Sequence, residues 1–317
     1  MLSNKLRGVP AAFKNTFIAS DGKLRAVWRL MLAILAWYAL YALAAMGVSR
    51  LMFSLFKSWG VTSANLYLTP AWVQYLVSYQ AQLFHVAAAL PAALAGWLLA
   101  RPLRRRRPGV SAGYTAAAAV MGFFGSITAA MLLSMVFRRA DSMRATSAQA
   151  VFSVDVLIML AVYLIAALAE GQLALGYIRE TVLERGGRTL SYIAAAVMFC
   201  AMTGFASGVL GVVNTLLLAL ILCRIAEKAG VWAAVGVRAG WLWAVNSLAG
   251  FPGGGVSVQT LYPVSENLLT GGDAGIMSGL AVTLVCGAIL WFALGRQALL
   301  SLKQRILKSA DESEKRA

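Results

Sequence analysis

The stretch Val154-Asp-Val-Leu-Ile-Met-Leu-Ala-Val-Tyr-Leu-Ile-Ala-Ala-Leu-Ala-Glu-Gly-Gln-Leu-Ala-Leu-Gly-Tyr177 decides the fold class of this chain. It is long enough to cross about 30 Å of hydrocarbon as a helix. Because a helix satisfies its own backbone hydrogen bonds, an apolar run of this length predicts a membrane-spanning segment. A carboxylate at bilayer depth is costly unless it is paired, so Glu170 becomes the first candidate functional residue.

Similar apolar runs recur along the whole chain. Of its 317 residues, 60% are hydrophobic and 13% are charged, whereas roughly a quarter of residues are charged in soluble domains. We therefore predict an all-α fold, a polytopic transmembrane helical bundle of about eight spans. The predicted spans cover residues 27–49, 73–100, 111–137, 150–177, 189–209, 211–227, 231–250 and 274–295.

The net charge of +16 is placed at the ends of these runs. Lysine and arginine cluster on one side of the predicted bundle, and the last loop on the other side, 251–273, has none. Since basic loops stay in the cytoplasm, this bias predicts that both termini are cytoplasmic. The distribution favours membrane lipids as partners and argues against nucleic acid.

Three regions follow from this pattern. Residues 1–26 form a cytoplasmic or interfacial segment, and they contain no apolar run that predicts a cleaved signal peptide. Residues 27–296 form the transmembrane domain, and residues 297–317 form a basic cytoplasmic tail that we expect to be disordered. The three cysteines lie in apolar runs without metal-ligand spacing, so we predict buried free thiols and no metal or other cofactor.

Arg238, in the seventh span, is the counterpart of Glu170 in the fourth. Each lies about eight residues from the cytoplasmic end of its predicted span, roughly 12 Å deep at about 1.5 Å per residue. Opposite charges at matching depth neutralise each other, so we predict an ion pair between Glu170 and Arg238. Such a pair either locks two helices together or marks a polar site, and the sequence leaves both possibilities open.

Other polar residues within the spans have more ordinary roles. His85, the only histidine, is expected to be a hydrogen-bonded packing residue, and Asp155 to have a local structural role. Asn214 and Asn246 are expected to donate hydrogen bonds between helices. The stretch Gly236-Val-Arg-Ala-Gly240 has a spacing that permits close approach of another helix.

Several motifs resemble those of the CPBP family, the CAAX-protease-like and bacteriocin-processing intramembrane metalloproteases of bacteria, also called Abi. The likeness covers most of residues 150–296 and one segment before the first span. The motifs that carry it are Asp21-Gly-Lys-Leu-Arg-Ala-Val-Trp-Arg-Leu, Glu170-Gly-Gln-Leu-Ala-Leu-Gly-Tyr, Phe199-Cys-Ala-Met-Thr, Gly230-Val-Trp-Ala-Ala-Val-Gly-Val-Arg-Ala-Gly-Trp-Leu-Trp, Gly250-Phe-Pro-Gly-Gly-Gly and Asn267-Leu-Leu-Thr-Gly-Gly. The second of them resembles the family's Glu-Glu-x-x-x-Arg-Gly. There Gly171 replaces the second glutamate and Leu175 replaces the arginine.

The resemblance implies a hydrolytic centre of one glutamate and two histidines, assisted by an asparagine. Here Glu170 keeps the glutamate, Thr203 and Arg238 stand at the histidine positions, and Leu242 stands at the asparagine position. Threonine is a poor zinc ligand and is no base near neutral pH, and the permanent cation Arg238 repels a metal ion. These four residues therefore look like the remnant of a catalytic site.

The resemblance and its departures together lead to three hypotheses. The first is a catalytically inactive pseudo-protease in a bacterial cytoplasmic (inner) membrane that acts as a scaffold, chaperone or regulatory partner. Its partner would be another membrane protein or a lipidated or hydrophobic peptide. The second is an active intramembrane endopeptidase with a non-standard site around Glu170, and the third is a transporter or channel. Enzyme activity is thus left open.

Overall fold

A computed structural model shows the architecture of the chain. The residues it describes are 25–61, 69–70, 73, 86, 89–91, 93–99, 111–140, 142–145, 153–203, 208–252, 257–258, 260–264 and 268–292. Three predictions lie outside these residues: the interfacial character of most of 1–26, the role of His85, and the disorder of 297–317.

The described residues are mainly helical. In chain order the elements are α1 (Ala26–Ser58), α2 (Ala89–Leu99), α3 (Ala112–Arg139), β1 (Met143–Ala145), α4 (Val154–Glu170), the π-helical segment π1 (Gly171–Ile178), α5 (Arg179–Thr203), α6 (Gly208–Ala229), α7 (Val231–Trp243), the π-helical segment π2 (Ala244–Leu248), β2 (Leu261–Pro263), two 3₁₀ turns (Gly272–Ala274 and Ile276–Ser278) and α8 (Leu280–Phe292).

Among the described residues, four helices are long and apolar enough to cross a membrane: α1, α3, α6 and the continuous helix Val154–Glu184 that contains α4. Two further apolar helices, α2 and α8, are shorter. Of the four long helices, α6 is the most covered by the rest of the protein and α1 is the least. The mainly helical fold and its membrane-compatible helices agree with the all-α prediction.

Two helices continue beyond the predicted ends of their membrane spans. The first span is predicted to end at 49, and α1 continues to Ser58 because neither Arg50 nor Lys57 interrupts a helix that has no proline or internal break. The fourth span was expected to end at 177, yet the helix continues through Arg179 and bends only at Gly187, whose φ is 74°. Arg179 remains buried there since it pairs with Glu180 and donates to the Cys223 carbonyl oxygen at 3.0 Å.

The stretch Gly236-Val-Arg-Ala-Gly240 makes the close helix contact that its spacing predicts. A Cβ on Gly236 would lie within the van der Waals radius of the Ala119 carbonyl group, and one on Gly240 would meet the carbonyl oxygen of Phe123. Helices α7 and α3 therefore pack backbone to backbone, as small residues allow. This contact holds α7 in the middle of the protein, where it carries Arg238.

The buried side chains form two clusters. One joins α1, α4, π1, α5, α6 and α7, and the other joins α3, α6, π2 and α8 with the segment that precedes it. Trp241 and Met277 contact both clusters. Cys200, Cys223 and Cys286 are free and buried, as predicted.

A short antiparallel β pair lies outside the helices, in a region that the sequence gives no reason to expect. Met143 pairs with Pro263, Arg144 with Tyr262 and Ala145 with Leu261. Each strand has only three residues. The pair fastens the connection after α3 to the long segment between π2 and α8.

Candidate functional site

Glu170 and Arg238 form the predicted ion pair. Arg238 Nε donates to Glu170 Oε2 at 2.7 Å, and Nη2 makes a longer contact of 3.4 Å to Oε1. The residues are only 8% and 7% exposed, respectively. The pair therefore replaces the water that each charge would otherwise need, which is the condition under which a buried charge is tolerated.

The two charges are brought together by the packing of α4 against α7. Glu170 is residue 17 of the 31-residue helix Val154–Glu184, near its middle. The depth of the pair in a membrane, about eight residues from the cytoplasmic end of each span, stays a prediction.

Gly171 makes that close approach possible. A Cβ at this position would fall on the Cγ2 methyl group of Val235, one turn before Arg238 on α7. Gly171 stands where the resembled family has its second glutamate, and the space that a side chain would need there is occupied by Val235 of α7. Arg238 is supported on its other side by Phe199, whose ring centroid lies 5.0 Å from the guanidinium carbon.

Both π-helical segments adjoin this site. Glu170 is the last residue before π1, and Asn246 lies within π2, which follows α7 directly. A π turn widens the helix and changes the direction of the side chains that follow it, and such turns are frequent at functional sites. Nothing in the sequence at 171–178 or 244–248 signals this geometry.

A pocket with a volume of about 150 Å³ lies beside the ion pair. It is formed between α5, α6, α7, π2 and the 3₁₀ turn before α8. Its lining residues are Thr203, Thr215, Arg238, Trp241, Leu242, Val245, Asn246 and Met277. Three of the four predicted remnant positions, Thr203, Arg238 and Leu242, thus face one cavity, and Glu170 lies behind Arg238.

The polar groups of the pocket divide into donors and acceptors. Thr203 Oγ1 donates within its own helix, at 3.1 Å to the Phe199 carbonyl oxygen or 3.2 Å to that of Cys200. Thr215 Oγ1 donates to the Gly211 carbonyl oxygen at 2.8 Å. Because their protons are used in this way, the two hydroxyls are left with acceptor lone pairs only. Asn246 was predicted to bond between helices; it instead lines the pocket and has no hydrogen-bond partner among the described residues.

This arrangement is poorly suited to hydrolysis. Glu170 would have to hold and deprotonate a water molecule, but both of its oxygens face Arg238. In the part of the chain that the structure describes, no three His, Cys, Asp or Glu side chains come together as a metal-binding group would require. What the pocket offers is a set of hydrogen-bonding groups on an apolar wall.

Comparisons with known protein families, with curated proteins and with solved structures find no match to this chain. The likeness to the CPBP family thus rests on the motifs alone. Sequence reasoning missed Gly171, Phe199, Thr215 and Met277 as parts of the site. Gly171 and Phe199 lie within the motifs quoted above, and this position could have marked them as parts of the site. No motif contains Thr215 or Met277, so the sequence gives no sign that they belong to it.

Asn214 confirms its predicted role between helices. It is fully buried, and its Nδ2 donates at 2.8 and 2.9 Å to the carbonyl oxygens of Met277 and Gly279. Its Oδ1 accepts from Thr283 Oγ1 at 2.7 Å. One side chain on α6 thereby fixes the 3₁₀ turn at the pocket wall and the beginning of α8.

Replacing Asn214 by Ala should lower the free energy of unfolding by about 1–3 kcal/mol, since two buried carbonyl groups lose their donor. The measurement is unfolding in mixed detergent micelles. The control is Thr128→Val, which removes an exposed hydroxyl that bonds only within α3 and should cost less than about 0.5 kcal/mol. Equal losses in the two variants would show that Asn214 does not hold α8.

Proposed function

We propose that this protein is a catalytically inactive relative of the CPBP intramembrane proteases that binds hydrophobic segments of other membrane proteins without cleaving them. The observation that carries the proposal is the ion pair. Glu170, the one residue of the family's centre that the motifs retain, is held by Arg238, which stands at a histidine position. The second hypothesis, an active peptidase, requires an accessible Glu170 held away from Arg238.

The closeness of the residues at the four catalytic positions in the folded protein supports the proposed relation to the CPBP family. The motifs that contain Glu170, Thr203 and Arg238 lie on α4, α5 and α7, and none of these motifs by itself specifies a contact between the helices. A chance match would not be expected to place Thr203, Arg238 and Leu242 around one pocket beside Glu170. We therefore regard the pocket as the former catalytic cavity, which keeps room for a ligand.

The proposal includes the membrane topology. The charge bias of the loops favours about eight spans, with both termini in the cytoplasm of a bacterium and the protein in its inner membrane. The helices α1, α3, α6 and Val154–Glu184 are long and apolar enough to cross a membrane, and α2, α7 and α8 lie within three of the other predicted spans. Cysteine-labelling of single-cysteine variants from each side of the membrane tests the orientation.

Binding is tested with the purified full-length chain in lipid nanodiscs and a fluorescent peptide that carries one hydrophobic membrane segment. We expect saturable binding, and we expect Leu242→Trp, which fills the pocket, to weaken it at least tenfold. The matched control is Leu132→Trp on the exposed face of α3, which should leave the affinity unchanged. Absence of binding, or equal binding by both variants, would contradict the proposal.

A further inference from the structure

We propose that Tyr262, Val264, Leu268 and Leu269 form a lipid-anchoring patch. The patch inserts between the phospholipid headgroups and the acyl chains on the side of the membrane where α3 ends and α8 begins. Its four side chains lie on the described parts of the connection between π2 and α8. It goes beyond the proposed function, because its partner is the bilayer itself rather than a segment bound in the pocket.

The patch exposes large apolar side chains on backbone that is not helical. Leu268 is 65% exposed and Tyr262 is 54% exposed, and Val264 and Leu269 are exposed as well. Irregular backbone does not face lipid within the hydrocarbon core, because its N–H and carbonyl groups would lack partners there. At the membrane interface, water and headgroups supply these partners while the acyl chains cover apolar side chains. A non-helical segment with an apolar surface therefore fits the interface.

Backbone contacts hold Leu268 and Leu269 at the beginning of α8. The Leu268 carbonyl oxygen accepts from the Leu280 N–H at 2.9 Å. The Leu269 carbonyl oxygen accepts from the Ala281 N–H at 3.1 Å. A Cβ on Gly279 would lie 2.5 Å from the same Leu269 oxygen, so the two stretches of backbone touch. The leucine side chains are thus presented to the outside from a backbone that is fixed to the helix.

The other half of the patch is held at the end of α3. Tyr262 is paired with Arg144 in the β pair, and the Val264 N–H donates at 3.2 Å to the carbonyl oxygen of Ser142, shortly after α3 ends. Tyr262 is exposed while the preceding Leu261 is fully buried, as the alternation of side chains along a strand requires. The patch therefore adjoins the end of a helix that is long and apolar enough to cross a membrane.

The surface of α3 changes from apolar to basic near this end. Met135 and Val136 are exposed, and the exposed Arg138 and Arg139 follow them in the last turn. Basic residues after an apolar helix face are typical of the passage from acyl chains to headgroups, where tyrosine is also enriched. A guanidinium binds a phosphate group through two parallel hydrogen bonds. The position of Tyr262 beyond these arginines in the fold thus corresponds to the interface.

The patch also continues the apolar surface of α8. Leu284 and Val285 are exposed and lie about one turn after Leu280, to which Leu268 is bonded. Lipid that covers this side of α8 therefore also meets Leu268. This continuity favours the bilayer as the partner over a second protein, which would have to displace lipid from the adjoining helix.

The test attaches an environment-sensitive fluorophore to the patch of the full-length protein in nanodiscs. The label is placed on Leu268→Cys or on Tyr262→Cys; the native thiols Cys200, Cys223 and Cys286 are buried, so the unmodified protein gives the background. Two quenchers are compared: iodide in the water, and phospholipids that carry a nitroxide near the top of the acyl chain. Labels on an interfacial segment should lie about 5–10 Å into the boundary between headgroups and acyl chains and be quenched by the lipid nitroxide.

The control label is placed on Asp273→Cys, at an exposed polar residue of the 3₁₀ turn Gly272–Ala274. The ratio of nitroxide quenching to iodide quenching should be at least about twofold higher for each patch label than for this control, as the burial of interfacial side chains among the acyl chains predicts. If Leu268→Cys does not fold, Tyr262→Cys decides, since it lies on a separate part of the segment.

Two results would overturn the lipid-anchoring patch. A patch label with the same quenching ratio as the Asp273→Cys label would lie in water. A patch label that neither quencher reaches would be covered by protein, such as a second copy of this chain. Neither result involves the binding of a peptide, so the proposed function would stand or fall by its own experiment.

Discussion

Replacing Arg238 by Met should lower the free energy of unfolding by about 3–5 kcal/mol, because the variant leaves the Glu170 carboxylate buried without its partner. Glu170→Leu should cost a similar amount by leaving the guanidinium unpaired. The double variant Glu170→Leu, Arg238→Met removes both charges and should be close to the unmodified protein or more stable by about 1–4 kcal/mol. Unfolding of all four proteins in mixed micelles gives the coupling energy directly.

An exposed ion pair in the same protein provides the matched control. Arg188 bonds to Glu227 at 2.6 Å, but its side chain is 48% exposed, and Glu227 also accepts from Arg224 and Tyr192. Arg188→Met should therefore cost no more than about 1 kcal/mol. If Arg238→Met lowered the free energy of unfolding by as little as Arg188→Met, Glu170 would have access to water. The buried site on which the proposal of an inactive protease depends would then not exist.

The second large effect is expected at the contact between α7 and α3. Gly236→Ala and Gly240→Ala each force a methyl group against backbone atoms of α3, and overpacking of this kind costs about 1–3 kcal/mol. Together they should cost about 2–6 kcal/mol, the sum of two such effects. Because α7 carries Arg238, the double variant should also weaken peptide binding, which thermal unfolding and binding in nanodiscs measure separately.

Gly125→Ala is the control for this experiment. Gly125 lies in α3 on its exposed face, and a Cβ there has no atom within 4 Å. Alanine is the better helix former by about 1 kcal/mol, so this variant should be neutral or more stable. Loss of stability in Gly125→Ala comparable with that in Gly240→Ala would mean that the glycines act through helix flexibility rather than through the contact.

The helices could largely be predicted because each depends on local composition. Apolar length located α1, α3, α4 and α6 to within a few residues at most of their ends, and the net basic ends favoured an orientation. The helices run further than the predicted spans where charged residues continue them: Arg50 and Lys57 lie inside α1, and Arg179 lies inside α5 because a partner on α6 makes its burial possible. A long-range contact of this kind leaves no local pattern in the sequence.

The ion pair could be predicted because an unpaired charge inside a membrane is energetically costly. A charge in an apolar run needs a partner, and this need together with the matching depth of the two residues paired Glu170 with Arg238. The pocket was not predictable, since it depends on π2 turning Asn246 towards it and on Asn214 holding Met277 in place. The support of Arg238 by Phe199 likewise depends on how α5 packs against α7.

The most direct test of the account is a search for cleavage of a peptide whose binding is monitored at the same time. The purified protein in nanodiscs is incubated with the fluorescent peptide that carries one hydrophobic membrane segment, and the peptide is followed by mass spectrometry while binding is monitored by fluorescence. The account predicts that the peptide is bound and stays intact, with the same result for Glu170→Gln. Fragments that accumulate with the unmodified protein and disappear with Glu170→Gln would contradict it and identify the protein as an active protease.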